Sequence, residues 1–236
     1  MQYYPICLRV EGRPCLVIGG GEVAARKVLS LLKARARVTI ISSTLTPSLT
    51  AAAAAQRFVH YARQYRAGDL DGFQLAFAAT NDEALHAIIA RDADAAGVLL
   101  NVVDRPQLCS FIVPAVVARG DLTVAISTSG ASPALAKRLR EEFATLLGPE
   151  YEQALAILRA VRQRLQSEQR ATEERRDILT ALVRSDLLDL LRAGDAAQVD
   201  QLLQTTVGDG ASVASLGLQE SQASASGSAS PSGSNG

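Results

Sequence analysis

The sequence predicts an α/β chain: a doubly wound parallel sheet in its first half, a short α+β segment in the middle, and a helical domain after that. Three observations predict it. Apolar runs that read as buried strands alternate with amphipathic helical runs as far as Val103. The first such run, Cys15 to Ile18, leads directly into Gly19-Gly20-Gly21, and Gly19, Gly21 and Ala24 stand at the G-x-G-x-x-G/A spacing of a dinucleotide-binding turn. From Glu150 to about Thr206 strand signals vanish and Leu, Ala, Arg, Glu and Gln take over.

Each element has its own warrant. Tyr3 to Val10 is short and apolar, and Glu11-Gly12-Arg13-Pro14 turns into the first strand. In the glycine turn, Gly19 allows a tight bend, Gly21 removes a Cβ where a pyrophosphate would approach, and Ala24 lets helix and strand pack closely. The helix that follows offers its free N–H groups to the phosphates. Val23, Val28, Leu31 and Leu32 mark its inner face, and Arg26, Lys27 and Lys33 its polar face. Arg37 to Ile41 is the second strand, completing a βαβ unit of about 30 residues. Ser42-Ser43-Thr44 stands where an acid would bind the ribose of NAD, so the residues leave NAD or NADP open. Thr46-Pro47 starts a helix through Ala51 to Ala55, Arg57 to Tyr61 is a short strand, and Phe73 to Ala79 is a near-continuous apolar strand. A helix from Glu83 to Ala96 turns Leu85, Ile88 and Ile89 inward and stops at Gly97; Val98 to Val103 is the next strand.

Ligands of such sheets bind beyond the carboxyl ends of the strands. Gly19 to Gly21, Thr80-Asn81 and Asn101 to Asp104 all lie at such ends and should share one crevice. Further on, Leu122 to Ser127 reads as a strand, and Ser127-Thr128-Ser129-Gly130 precedes a helix capped by Ser132 with Pro133 at its first position. That loop offers either an anion site or a well-capped helix. Leu155, Leu158, Leu165, Ile178, Leu182 and Leu187 suggest two or three packed helices, whose arginines read as a solvated face. The predicted domains are 1–113, 114–148, 149–207 and a disordered, Ser/Ala/Gly-rich tail over 208–236.

Composition excludes several classes. The 236 residues carry zero net charge, so no global field attracts nucleic acid. Cys7, Cys15 and Cys109 are odd in number and far apart, as free thiols of a reducing compartment are. His60 and His86 have no second ligand at metal spacing. No apolar run reaches the roughly 18 residues of a membrane span, and no basic stretch leads an apolar N-terminal core. The expectation is a cytoplasmic protein.

Several ordered motifs together carry a resemblance: Tyr4-Pro5-Ile6, the run Val17 to Lys27, Ala78-Ala79-Thr80-Asn81-Asp82, Asn101-Val102-Val103-Asp104, and Ser129-Gly130-Ala131-Ser132-Pro133-Ala134-Leu135-Ala136. The chain resembles the siroheme synthase family, and within it the precorrin-2 dehydrogenase/sirohydrochlorin ferrochelatase module in its stand-alone form. The resemblance is strong from Tyr3 to Leu147 and looser to about Thr206. It implies NAD-dependent oxidation of precorrin-2 to sirohydrochlorin in siroheme biosynthesis, with Fe²⁺ insertion as a second activity of some members. It implies a Rossmann domain (1–113), a dimerisation segment (114–148), a small helical domain (149–207) and a homodimer.

The family's catalytic aspartate falls on Asp104, an acid placed to take a proton while hydride leaves, or to accept pyrrole protons around a transient Fe²⁺. No fixed metal site is expected. The family's cofactor contacts map onto Glu22, Val23, Ser43 and Thr44, in keeping with the missing ribose acid; the glycine turn and the strand ends add Gly19, Gly20, Gly21, Thr80 and Asn101 as cofactor-binding candidates. Arg105 replaces a residue often acidic in the family, which favours substrate carboxylates over iron. The octacarboxylate substrate would meet Arg105, Ser127, Thr128, Ser129, Gly130, Lys137 and Arg138, with Arg119 as a further candidate. Thr128 stands where some members carry a phosphorylated serine. The competing function is an NAD-sensing regulatory module without catalysis; such modules usually keep the ribose acid and need neither the Asn-Val-Val-Asp strand end nor the Ser-Gly-Ala-Ser-Pro loop.

Overall fold

Residues with β-branched and aliphatic side chains at two-residue spacing build the first unit. A computed structural model describes residues 3–218. Strands β1 (Pro14–Ile18), β2 (Arg37–Ile41), β3 (Val59–Tyr61), β4 (Leu75–Ala78) and β5 (Leu99–Val102) form one parallel sheet in the order β3-β2-β1-β4-β5. Chain direction reverses its walk between β1 and β4, which makes that seam the switch point.

The pleat sorts side chains to two faces. Cys15, Val17, Val38, Ile40, Leu75 and Phe77 pack under helices α1 (Glu22–Lys33) and α2 (Pro47–Ala54). Leu16, Ile18, Ile41, Ala76 and Ala78 pack under α3 (Glu83–Ala96). Thr46 caps α2 by accepting from Leu49 N, and Asp82 caps α3 by accepting from Leu85 N. Gly97, at φ 66°, ends α3 in the left-handed conformation that glycine adopts without strain.

Two details differ from expectation. On α3 the buried residues are His86, Ile89 and Ala93, whereas Ile88 is exposed. On α1, Lys27 is not on the polar face: its Nζ lies 5.4 Å from the Phe77 ring centroid, and burial, with Arg26 nearby, pushes its ammonium pKa down.

A second unit comprises residues 115–127 and 133–218; residues 128–132 group with the first. Of the expected 114–148 segment, residues 115–127 and 133–148 lie in this second unit, and 114 and 128–132 in the first. Its hairpin, β6 (Ala115–Arg119) against β7 (Leu122–Ile126), and helix α4 (Pro133–Leu146) belong with the C-terminal helices. Among the described residues four helices follow rather than two or three: α5 (Glu150–Ser167), α6 (Thr172–Arg184), α7 (Leu187–Ala193) and α8 (Ala196–Val207). Ala154, Ile157, Val161 and Leu165 form the inner stripe of α5; Leu155 is only half-buried. The expected tail begins too early: Ala211 is fully buried and Val213, Leu216 and Leu218 pack on the same core. The remainder of that expectation, residues 219–236, lies outside the described residues.

A candidate dinucleotide site at the carboxyl edge of the sheet

Backbone proximity dictates the glycine turn. Gly19 has φ 119°, and its N–H donates to Ile41 O at 2.9 Å. A Cβ there would collide with Ala79 O, and a Cβ on Gly20 would collide with Thr44 O, while Thr46 N–H donates to Gly20 O at 3.0 Å. So Gly19 is pinned to the end of β4 and Gly20 to the loop after β2. Gly21 differs: a Cβ there meets nothing within 4 Å. It is the N-cap of α1, and no side chain caps that helix. The leading N–H groups of α1 are left for an anion at an open, positive helix end. Glu22 is exposed and Val23 half-buried in this first turn.

The next strand end supplies hydroxyls. Ser42 Oγ donates to Thr44 O at 2.7 Å, and His60 Nε2 stands 3.0 Å from Ser42 O, so His60 serves the loop's shape. Ser43 and Thr44 are exposed, and no carboxylate lies in this stretch.

Thr80 follows β4 at the switch point, where Ala79 N–H donates to Ile18 O at 2.8 Å. Its Oγ1 and carbonyl oxygen lie 3.0 and 3.1 Å from Nε2 of His86, which is 4% exposed. Sequence spacing gives His86 no metal-ligand partner and no other role. The one signal that could have found it is the phase of 86, 89 and 93, which keeps a helical stripe through a polar residue.

Asp104 lies level with these groups, since Val103 N–H donates to Ala78 O at 3.0 Å. It is exposed at φ 58°, a left-handed conformation that costs a non-glycine residue about 1 kcal/mol. Side chains hold that turn. Cys109 Sγ accepts from Val102 N at 3.1 Å and lies 3.2 and 3.3 Å from the carbonyls of Val102 and Arg105. Asn101 Nδ2 donates to Phe111 O at 3.0 Å, so its amide nitrogen supports the loop and its Oδ1 is left for other partners. Ser110 Oγ accepts from Leu100 N at 2.7 Å. Burial pushes the Cys109 thiol pKa up, which keeps it a protonated donor.

Other expected site residues are partly committed. Arg105 pairs with Glu83 on the first turn of α3. Thr128 Oγ1 donates to Ser132 O at 3.1 Å and accepts from Ser132 N at 3.2 Å, closing its loop, in which Ser129 and Gly130 both have positive φ. Ser127, Lys137 and Arg138 belong to the second unit, where Arg138 Nε binds Glu142 at 2.7 Å and Lys137 is exposed. Arg119 is spent on two carbonyls at the end of α4 and just past it, Ala144 O and Leu147 O, both at 2.7 Å. Among the described residues no three His, Cys, Asp or Glu gather where they could hold a metal ion, and no helix is long and apolar enough to cross a membrane.

Known proteins share the sequence and the fold of this chain. A family model described as "Putative NAD(P)-binding" matches residues 6–115, and one described as "Sirohaem biosynthesis protein central" matches 119–146. The siroheme synthase of Methylobacillus flagellatus is 40% identical over 176 residues, covering 75% of this chain and 38% of that protein. The siroheme synthase of Thioalkalivibrio sulfidiphilus is 36% identical over 209 residues, covering 87% of this chain and 43% of that one. The chain thus spans about two fifths of the length of these curated relatives. The solved structure of SirC, a precorrin-2 dehydrogenase, shares the fold at TM-score 0.72 and 24% identity, over 86% of this chain and 98% of that one.

Proposed function

This chain belongs to the siroheme synthase family, and from that premise we propose that it oxidises precorrin-2 to sirohydrochlorin with NAD⁺ as the hydride acceptor, in the cytoplasm. The observation that carries the reading is Asp104, an exposed carboxylate held in a left-handed turn level with the glycine turn at one sheet edge. The residues fit the cofactor: the open position at Gly21 and the uncapped start of α1 suit a pyrophosphate, and the exposed hydroxyls of Ser43 and Thr44 suit a ribose.

NAD⁺, when bound, supplies a two-electron acceptor for one C–H hydride of precorrin-2. The loss of two hydrogens then leaves one proton, and Asp104 is the base that takes it. Its neighbour Arg105, half-buried and paired with Glu83, meets a carboxylate of the substrate. In a second reaction, with Fe²⁺ as a substrate, Asp104 accepts the two displaced pyrrole protons one after the other, passing the first to solvent before it takes the second.

The chain acts as a homodimer through its central segment. α4 buries none of its residues, and Val116, Leu135, Phe143 and Leu146 are exposed on this part of the second unit, an apolar surface that a second copy would cover.

The test is an anaerobic assay of the full chain with precorrin-2 and NAD⁺, following NADH and sirohydrochlorin, then adding Fe²⁺. NADH formation that disappears in Asp104→Ala supports the reading, and iron uptake above the uncatalysed rate adds the chelatase. NAD⁺ binding without NADH formation overturns the dehydrogenase.

A further inference from the structure

We propose that His86 is a positioning residue: it fixes Thr80 so that the threonine hydroxyl donates its proton to an acceptor oxygen of the bound dinucleotide. This inference rests on the NAD⁺ reading above.

The argument starts from donors and acceptors. His86 Nε2 is 3.1 Å from Thr80 O and 3.0 Å from Thr80 Oγ1. A carbonyl oxygen only accepts, so Nε2 must carry the ring proton. The other tautomer would set a nitrogen lone pair against the carbonyl. With the proton on Nε2, both oxygens of Thr80 face a donor, and Oγ1 acts as an acceptor. Asp82 N–H also reaches Oγ1, at 3.4 Å. The Thr80 hydroxyl is thereby surrounded by donors, and its own proton has no acceptor among the described residues.

Position gives that proton a direction of use. Thr80 is half-buried, not sealed, and it abuts the glycine turn: a Cβ on Gly19 would come 3.4 Å from Thr80 N. A hydroxyl that cannot donate into the protein, at the switch point of a doubly wound sheet, is a donor for whatever lies over Gly19 to Gly21. Phosphate, ribose and carboxamide oxygens of a dinucleotide all accept such a bond.

A purely structural role explains less. The α3 N-terminus has its cap already, because Asp82 Oδ1 accepts from Leu85 N at 3.0 Å. His86 Nδ1 is buried with no partner among the described residues, so the ring carries an unmade hydrogen bond that an aliphatic side chain in this stripe would avoid. What the imidazole adds at this position is the Nε2 contact to Thr80.

The experiment is a calorimetric titration of NAD⁺ into the full chain, with thermal unfolding recorded for each variant. His86→Leu and Thr80→Val should each weaken NAD⁺ binding about tenfold, the worth of one hydrogen bond. The double variant should bind no more weakly than either single one, because both changes remove the same donor. His86→Gln, whose amide nitrogen reaches the place of Nε2, should return affinity to within about twofold of wild type. A merely structural histidine would give additive losses or losses that track stability. Wild-type affinity in His86→Leu overturns the inference alone, as does a double variant whose loss is the product of the two single losses. Absence of NAD⁺ binding in the wild-type chain overturns the inference together with the reading it rests on.

Discussion

Two turns flank the end of β4, and opposite means shape them. The turn after β1 is shaped by what its residues lack: Gly19 and Gly20 let backbone press on Ala79 O and Thr44 O, and Gly21 leaves open space. The turn after β5 is shaped by what its neighbours carry: Cys109 and Asn101 grip the backbone around an Asp104 held at φ 58°. One binds by being empty, and the other places a reactive group by being tied. A glycine turn tolerates no added carbon where it is pressed, whereas a tied turn loosens by degrees as ties are removed.

The largest effect expected separates chemistry from binding. Asp104→Asn should lower the rate of NADH formation by at least about 100-fold, the usual scale for a lost general base. NAD⁺ affinity measured by titration should stay within about twofold, since Asp104 is on the tied turn rather than the empty one. A parallel loss of affinity would break the division.

Next comes the contrast inside the glycine turn. Gly20→Ala should cost about 3 kcal/mol in urea unfolding, because the collision is with backbone that cannot swing aside. Gly21→Ala should change stability by less than about 1 kcal/mol, yet weaken NAD⁺ binding, because its added methyl meets only the ligand. Equal stability losses in the two variants would erase the distinction.

A smaller effect belongs to the tied turn. Cys109→Ala should cost about 1–2 kcal/mol by leaving Val102 N–H without its partner. Cys109→Ser, which keeps an acceptor and a donor, should lose less in the same unfolding experiment.

The smallest is a pH effect in a third turn, tied by charge. Asp69 binds Arg63 through two contacts of 2.6 and 2.7 Å and accepts from Arg66 N at 2.7 Å. The Arg63 guanidinium holds its carboxyl below the ordinary carboxylate range, against the opposing effect of burial. A carboxyl whose pKa is lower folded than unfolded stabilises the fold above its unfolded pKa of about 3.9, and that contribution fades as pH falls through the folded value. Asp69→Asn should therefore lower stability at pH 7 and flatten the acid limb of the stability–pH curve. An unchanged acid limb would show that this tie bears no charge-dependent load.

The same division explains what could be read in advance. Gly19, Gly21 and Ala24 announce their turn by spacing, because a missing side chain is itself a local signal. The parallel strands announce themselves by apolar runs, and five of them lie where expected within a residue or two. The ties of the Asp104 turn are invisible in that way: Asn101 reaches Phe111 and Cys109 reaches Val102 through space, with no periodicity to record it. His86 is hidden for a related reason, since an imidazole in an apolar stripe breaks the hydrophobic count while obeying the helical phase. The division of the helical domain is hard to read from sequence because α7 is only seven residues, too short for a period to establish itself. Ala211 reads as tail because a Ser/Ala/Gly composition hides one small residue that seals a core.

The Cys109 thiol also has a use at the bench. The chain holds three free cysteines in graded settings: Cys7 in the open, Cys15 under the sheet, and Cys109 half-hidden with its sulfur in the backbone of the Asp104 turn. Burial raises the pKa of both Cys15 and Cys109, so their thiolates form sparingly. An alkylating reagent will therefore mark Cys7 first and reach Cys109 only in the moments when that turn breathes. The rate of the second modification is a clock built into the molecule, and slowing of that clock by an added tetrapyrrole or nucleotide would report occupancy beside Asp104 without a single turnover.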